Sequence, residues 1–267
     1  MKKTALVTGS SGGIGLELAK LLAKNNTNLV LVDIRESELI QAAQLLKALS
    51  PAIQVDCFVQ DLSQPNAAQQ IADHPLVLGK AIDILINNAG FGTFGLFSET
   101  DWEKESRMIH LHILTLTHLT KLLIPGMVQR GYGKILNVSS VAGFQPSPLM
   151  AVYNASKAYV LSFSEAIANE LNGTGVTVTV LCPGLTPTGF QETVGVGKPA
   201  MTSNKWISSS AEEVAQYGLN ALFKGTTVAI PGTINYLLAN ANRFLPRNTV
   251  TQLVRKVQEK NRSFLKK

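Results

Sequence analysis

Only two cysteines, Cys57 and Cys182, occur in this 267-residue chain, too few for a disulfide scaffold or a thiolate metal cluster. A reducing compartment, and hence a cytoplasmic location, is the simple expectation. Histidine is scarce too, with four in the chain, and the two that stand closest, His110 and His112, are two apart and face different sides of a helix. No metal site is expected. Long apolar runs are missing as well: the best candidate, Ile113 to Val128, is interrupted by Lys121 and Pro125 and falls short of the roughly 20 uninterrupted apolar residues of a spanning helix. Two lysines near the amino terminus lead directly into "TALVTGSSGG", so no signal peptide is read there. Neither an internal repeat nor a low-complexity linker interrupts the chain.

Acidic residues are nearly absent from the carboxyl end. From Arg243 onward there are eight basic residues against Glu259 alone, which accounts for the net charge of +6 and leaves the rest of the chain close to neutral. The basic balance is therefore a property of the tail, and no nucleic-acid partner is expected for the body. Leu237, Leu238, Phe244, Leu245, Val250, Leu253, Val254 and Val257 are interspersed with those cations. A membrane-surface helix, a partner-binding helix and a terminal helix packed on its own body all fit that pattern.

With 45% hydrophobic and 16% charged residues, what remains is globular. Short β-rich runs begin at residues 4, 28, 53, 82, 134, 176 and 227, several of them continuously apolar as strands buried on both faces must be. Segments of helical length and pattern separate them: 16 to 23, 36 to 49, 102 to 128, 151 to 171 and 211 to 223. Strand and helix in alternation predict a single doubly wound α/β domain with a seven-stranded parallel sheet, and ligands at the carboxyl ends of its strands. The irregular stretch from 185 to 210 reads as a lid or as a plain connection.

"TGSSGGIG" at 8 to 15 follows the first strand and opens a helix. Gly9 permits a sharp turn, Gly13 lets backbone approach a phosphate and Gly15 lets helix pack on strand. Asp33 ends the second strand 24 residues after Gly9; it can accept from both ribose hydroxyls of an adenosine, or form a helix-capping pair with Glu36. A carboxylate there repels a 2′-phosphate, so NAD(H) is favoured over NADP(H), with Arg35 as the opposing signal.

"TGSSGGIG", "NNAG" at 87 to 90, "NVSS" at 137 to 140, "YNASK" at 153 to 157 and "CPG" at 182 to 184 occur in this order over nearly the whole chain. Together they resemble the short-chain dehydrogenase/reductase family, in its bacterial broad-specificity form related to ketoacyl and hydroxysteroid reductases. The resemblance implies a Rossmann-type domain over 1–242 that binds dinucleotide and carries catalysis, followed by a basic, helical extension over 243–267. It implies a cofactor surface of Gly9, Ser11, Gly13, Ile14 and Gly15, with Asp33, Asp61 and Leu62, Asn88, Ala89 and Gly90, then Pro183, Gly184 and Thr188. Asp61 alternatively caps a helix, and the segments at 88 to 90 and 183 to 184 alternatively serve as tight turns. Tyr153 becomes the general acid/base, Lys157 its partner and a ribose anchor, and Ser140 the group that orients the substrate oxygen. Ser139, the adjacent serine, faces the other way along a strand. Bringing a phenol of pKa ~10 to neutrality takes roughly 4 kcal/mol, and Lys157 with the cationic nicotinamide is expected to supply it.

One position departs from the family pattern. Where members usually carry an asparagine in the long helix, 28 residues before the serine, this chain has His112. Its imidazole either supports the same proton-relay water, with sensitivity to mild acid near its ordinary pKa of ~6.5, or fills space. The implied activity is NAD(P)-dependent hydride transfer between nicotinamide and a ketone or secondary alcohol, of an apolar substrate if Phe91, Phe94, Phe190 and Trp206 lie at the pocket mouth. A ketoacyl thioester reductase and a catalytically weak NAD-sensing regulator are the alternatives. The resemblance further implies a homodimer or homotetramer through the helices at 102 to 128 and 151 to 171.

Overall fold

The computed structural model describes residues 2–187 and 208–265, with side chains to residue 260; Thr188, Phe190 and Trp206 lie outside the described residues. Seven parallel strands, β1 (Thr4–Thr8), β2 (Asn28–Asp33), β3 (Val55–Val59), β4 (Ile84–Asn87), β5 (Gly133–Val138), β6 (Val176–Leu181) and β7 (Val228–Ala229), form one sheet in the order β3-β2-β1-β4-β5-β6-β7. The chain reverses direction across the sheet between β1 and β4, which opens a crevice at their carboxyl ends. Residues at those ends are in register, with Thr8 beside Val32, Asn87 beside Asn137 and Val138 beside Leu181. Their side chains and following turns therefore converge on one edge.

Every expected strand and helix is present, with boundaries shifted by a few residues, because several strands are continuously apolar and each helix has one apolar stripe. Helix α1 (Gly13–Lys24) buries Leu18, Ala19, Leu22 and Ala23, and α2 (Glu36–Leu49) buries Leu39, Ala42, Ala43 and Leu46; with α7 (Ala211–Lys224) they cover one face of the sheet. Ser210 and Glu213 form a reciprocal capping box at the start of α7, and Gly225 ends it in the left-handed region. On the other face, α3 (Ala67–Asp73), which is too short to stand out by periodicity, packs Ile71 beside Leu119 and Met127. Those residues belong to the long helix expected over 102 to 128. It comprises α4 (Trp102–Ile109), a π-helical turn over His110–Thr115, and α5 (Leu116–Gln129). By length and composition this helix could cross a membrane; it buries Leu111, Leu119 and Met127 in the protein.

A buried polar ladder joins β4 and β5 to the helices outside them. The Asn87 amide donates to Thr120 Oγ1 at 3.0 Å and to Asn137 Oδ1 at 2.9 Å, and the Asn137 amide donates to Ser164 Oγ at 2.9 Å. Ser164 lies on α6 (Ala151–Glu170). Fixed donors and acceptors in a dry interior set register more strictly than apolar contacts do. Helix α8 (Thr233–Ala241) follows β7, and α9 (Arg247–Leu265) ends the chain.

Candidate active site

The crevice is a cleft of about 1110 Å³. Its floor near β1 is the glycine turn. Gly9 has φ +63°, and a Cβ there would stand 2.7 Å from the Ala89 Cα. At Gly15 a Cβ would stand 2.1 Å from the Gly9 carbonyl oxygen, so helix α1 reaches the strand only because both are glycine. The Asn88 amide seals this junction by donating to the carbonyls of Thr8 and Gly9 at 3.1 and 2.9 Å. Gly9, Gly13 and Ile14 line the cleft, as do Asp33, Asp61, Leu62, Asn88, Ala89, Gly90, Pro183 and Gly184. Ser11 and Gly15 do not line it; they shape the turn from behind.

Asp33 is buried and accepts the backbone N–H of Ser11 at 3.0 Å and of Arg35 at 3.1 Å. Its pairing with Glu36 as a helix cap does not form, since Arg35 occupies the cap position of α2. The Arg35 guanidinium donates to Ser11 Oγ at 2.7 Å and lies 3.6 Å from Asp33. Asp61 does not cap α3 either, whose cap position is Asn66. Its oxygens accept from Ser63 and from Arg107, the latter at 3.2 Å, and these partners, set against partial burial, hold its carboxyl below the usual range.

Ser140, Tyr153 and Lys157 meet in the cleft. Ser140 follows the end of β5, and its Oγ accepts from the Ala142 N–H at 3.1 Å; the Tyr153 hydroxyl is hydrogen-bonded to it. Ser139, also past the strand end, borders the cleft too, but its Oγ is spent on the Lys157 carbonyl, to which it donates at 2.7 Å. Lys157 Nζ donates to the Val138 carbonyl at 3.0 Å and stands 5.8 Å from the Tyr153 ring centroid.

The electrostatics correct one expectation. Burial pushes the Tyr153 phenol up to about 12, and the Ser140 hydrogen bond offsets only part of that. Lys157 does not lower the phenol in the protein alone; burial instead brings Lys157 itself down to about 8. Cys182, next to this site, is buried and pushed up to about 12, so it is an inert thiol.

His112 is also buried, which removes the sensitivity to mild acid that the relay reading, one of its two, carried. Burial, then the Lys157 charge, hold its pKa well below the usual imidazole range. Both ring nitrogens are engaged: Nε2 accepts the Phe91 N–H at 3.3 Å, and Nδ1 lies 2.9 Å from Ser156 Oγ, which itself donates to the Tyr153 carbonyl at 2.7 Å. With the serine proton spent on that carbonyl, Nδ1 carries the imidazole hydrogen. A Cβ on Gly90 would sit 2.8 Å from Nε2, so the glycine and the histidine require each other.

Three contributors were not legible in the sequence. Ser156 was hidden as a spacer in "YNASK". Asn235 on α8 packs so closely under Gly184 that a Cβ there would meet its amide at 2.5 Å, and nothing local signals a contact across fifty residues. Helix α9 lays Val254, Val257 and Gln258 along the cleft, with the Gln258 amide donating to Ser147 Oγ at 3.3 Å; amphipathic patterning marked the helix but not its destination. Phe91 and Phe94 line the cleft as expected.

The dinucleotide implied by this geometry fits the residues present. Helix α1 starts at Gly12 with no side-chain cap and no acid in its first turn, in contrast to α7, so its free N–H groups and positive dipole end are open to an anion. Comparison with known proteins agrees. Residues 3–198 match the short chain dehydrogenase family. Ketoacyl reductase HetN of Nostoc sp. is 35% identical over 230 residues, covering 85% of this chain and 78% of that protein. A short-chain dehydrogenase of Sphingobium yanoikuyae in complex with NADPH superposes with a TM-score of 0.80 at 30% identity, covering 91% of each chain. One of Burkholderia phymatum in complex with NAD does so at 0.80 and 26% identity, covering 95% of each. With its ordered motifs, its sheet topology and this match over most of its length, the chain belongs to the short-chain dehydrogenase/reductase family.

Proposed function

We propose that this oxidoreductase interconverts an apolar ketone and its secondary alcohol, with Tyr153 as the proton donor in the reducing direction. The observation that carries the reading is the Tyr153 hydroxyl held against Ser140 inside the cleft, with buried Lys157 one helical turn on. The bound nicotinamide dinucleotide supplies the hydride equivalent. Its phosphates suit the uncapped start of α1, and its adenosine ribose suits Asp33. Ser140 Oγ and the Tyr153 hydroxyl converge so that one carbonyl oxygen can accept from both. A phenol near 12 stays protonated at neutral pH and is ready to give its proton to an oxygen gaining charge. Turnover followed at the NADH absorbance band against a panel of ketones tests this, and cofactor binding with no oxidation across the panel would instead favour an NAD-sensing regulator. Activity confined to acyl thioesters is the second reading, favoured by the similarity to ketoacyl reductase HetN.

For the cofactor, Asp33 supports NAD(H), while the Arg35 guanidinium beside Ser11 gives a 2′-phosphate some foothold. Hydrogen bonds to a charged group contribute about 1.5–3 kcal/mol, so Asp33→Ser is expected to lower kcat/KM with NADH by roughly 10- to 100-fold and to shift the NADH/NADPH ratio toward NADPH. An unchanged ratio of the two kcat/KM values would remove Asp33 from the ribose site.

His112 is read as a positioning residue that joins the turn at Gly90–Phe91 to the backbone of Tyr153 through Ser156. Its folded pKa is depressed, so at mildly acidic pH the unfolded chain takes up a proton that the native state refuses. Stability is then lost as pH falls below about 6.5. Thermal unfolding between pH 5 and 7 is expected to show this slope in the parent and to show it reduced in His112→Asn. The π-helical turn between α4 and α5 presents Leu114 to solvent and α6 presents Tyr159, which supports subunit association through these helices.

A further inference from the structure

Helix α8 turns Asn235 and Ala239 into the fold and leaves Ile234, Leu237 and Leu238 outside; the two leucines are 61% and 57% exposed. Positions i, i+3 and i+4 form one stripe on a helix. Along the chain the stripe runs on into Phe244, 86% exposed, and Leu245, 43% exposed. Single apolar residues in water are ordinary, but five large ones in a stretch of twelve mark an interaction surface.

The charge around it selects the partner. Exposed Arg243 and Arg247 bracket Phe244 and Leu245, and α9 continues with exposed Lys256, while Arg255 beside it is paired with Glu259 at 2.7 Å. A second copy of this chain docked on this face about a two-fold axis would bring one basic patch against another. An anionic lipid surface complements these cations without requiring matched positions, and accepts the apolar side chains between them. We propose that α8, the 242–246 turn and the basic face of α9 form a docking surface for anionic membranes.

The surface is tied to the cleft at two points. Asn242 donates to Gln145 Oε1 at 2.6 Å and Gln258 donates to Ser147 Oγ, and Gln145, Ser147, Val254 and Val257 line the cleft. Docking therefore sets the cleft beside the bilayer, where an apolar ketone would be concentrated. That last step rests on the proposed activity; the docking itself does not, and its test involves no turnover.

The full chain is incubated with phosphatidylcholine vesicles with and without phosphatidylglycerol and sedimented. Binding to the anionic vesicles alone, weakened by salt, is expected. Leu237→Ser with Phe244→Ser should reduce partitioning at least about tenfold, from the apolar area lost, and Arg243→Gln with Arg247→Gln about tenfold. If the leucine change compromises folding, Phe244→Ser carries the test alone, because that ring packs on little. Absence of cosedimentation with anionic vesicles overturns the proposal. So does binding that is indifferent to all four substitutions, and so does an oligomer that the same substitutions dissociate in gel filtration while vesicle binding persists.

Discussion

Tyr153→Phe is expected to reduce turnover by about a thousandfold while leaving NADH affinity within about threefold of the parent. Positioned proton transfer contributes typically 10²–10⁴ in rate, and phenylalanine removes the transferable proton while keeping the ring. The ring is buried and makes an edge contact with His112, centroids 6.0 Å apart, so the substitution leaves packing in place. The glycine turn and Asp33, where the dinucleotide would bind, are untouched. Stopped-flow reduction and a fluorescence titration of NADH separate the two quantities. Unchanged rates would remove Tyr153 from the chemistry; a parallel loss of affinity would make it a binding residue.

The same geometry predicts an asymmetry between directions. Taking a phenol from about 12 to ionisation at pH 7 costs roughly 7 kcal/mol, more than the roughly 4 kcal/mol counted from an unperturbed tyrosine. Ketone reduction, in which the neutral phenol donates, avoids that cost. Alcohol oxidation bears whatever part of it a cationic nicotinamide does not offset, and its rate is expected to climb with pH below about 8, where Lys157 keeps its charge and reduction is flat.

Sequence periodicity was enough for the sheet because several of the expected strands are continuously apolar, as a doubly covered parallel sheet requires. The glycine turn was legible for a related reason: Gly9 and Gly15 occupy space that a single added carbon would overfill. Tyr153, Ser140 and Lys157 could be picked out because residue type and spacing alone carry their chemistry. What could not be read was environment. That Tyr153 goes up rather than down, and that His112 is neutral, both follow from how completely water is excluded. Nor could a linear pattern show the π-helical turn at His110–Thr115, or that α9 folds back over Ser147. Asp33 and Asp61 had the sequence context of helix caps, but Asp33 accepts from Ser11 and Arg35 and Asp61 from Ser63, Gln64 and the distant Arg107, and the caps went unused.

Lys157→Met is expected to abolish useful activity and yet stabilise the protein at pH 7. The ammonium is buried, and burial brings it from 10.5 in a free lysine to about 8. Between those values the unfolded chain holds a proton that the native state has released, so native stability rises with pH from about 8 to 10.5. Below pH 8 the full penalty of a charged, desolvated lysine is present, roughly 3 kcal/mol. Methionine removes that penalty but strands the Val138 carbonyl that Nζ satisfies, which costs about 1–2 kcal/mol. The net expectation is a gain of about 1–2 kcal/mol and a melting temperature higher by a few degrees, with the pH 8 to 10.5 slope of the parent abolished. Denaturant unfolding at pH 7 and pH 10 measures both. Reduction by the parent enzyme should decline as pH rises through about 8, where Lys157 loses the charge with which it would hold the cofactor ribose. A Lys157→Met protein less stable than the parent at pH 7 would mean that the lysine is retained for packing. A more stable, inactive one would mean that the fold tolerates a buried cation for the sake of the reaction.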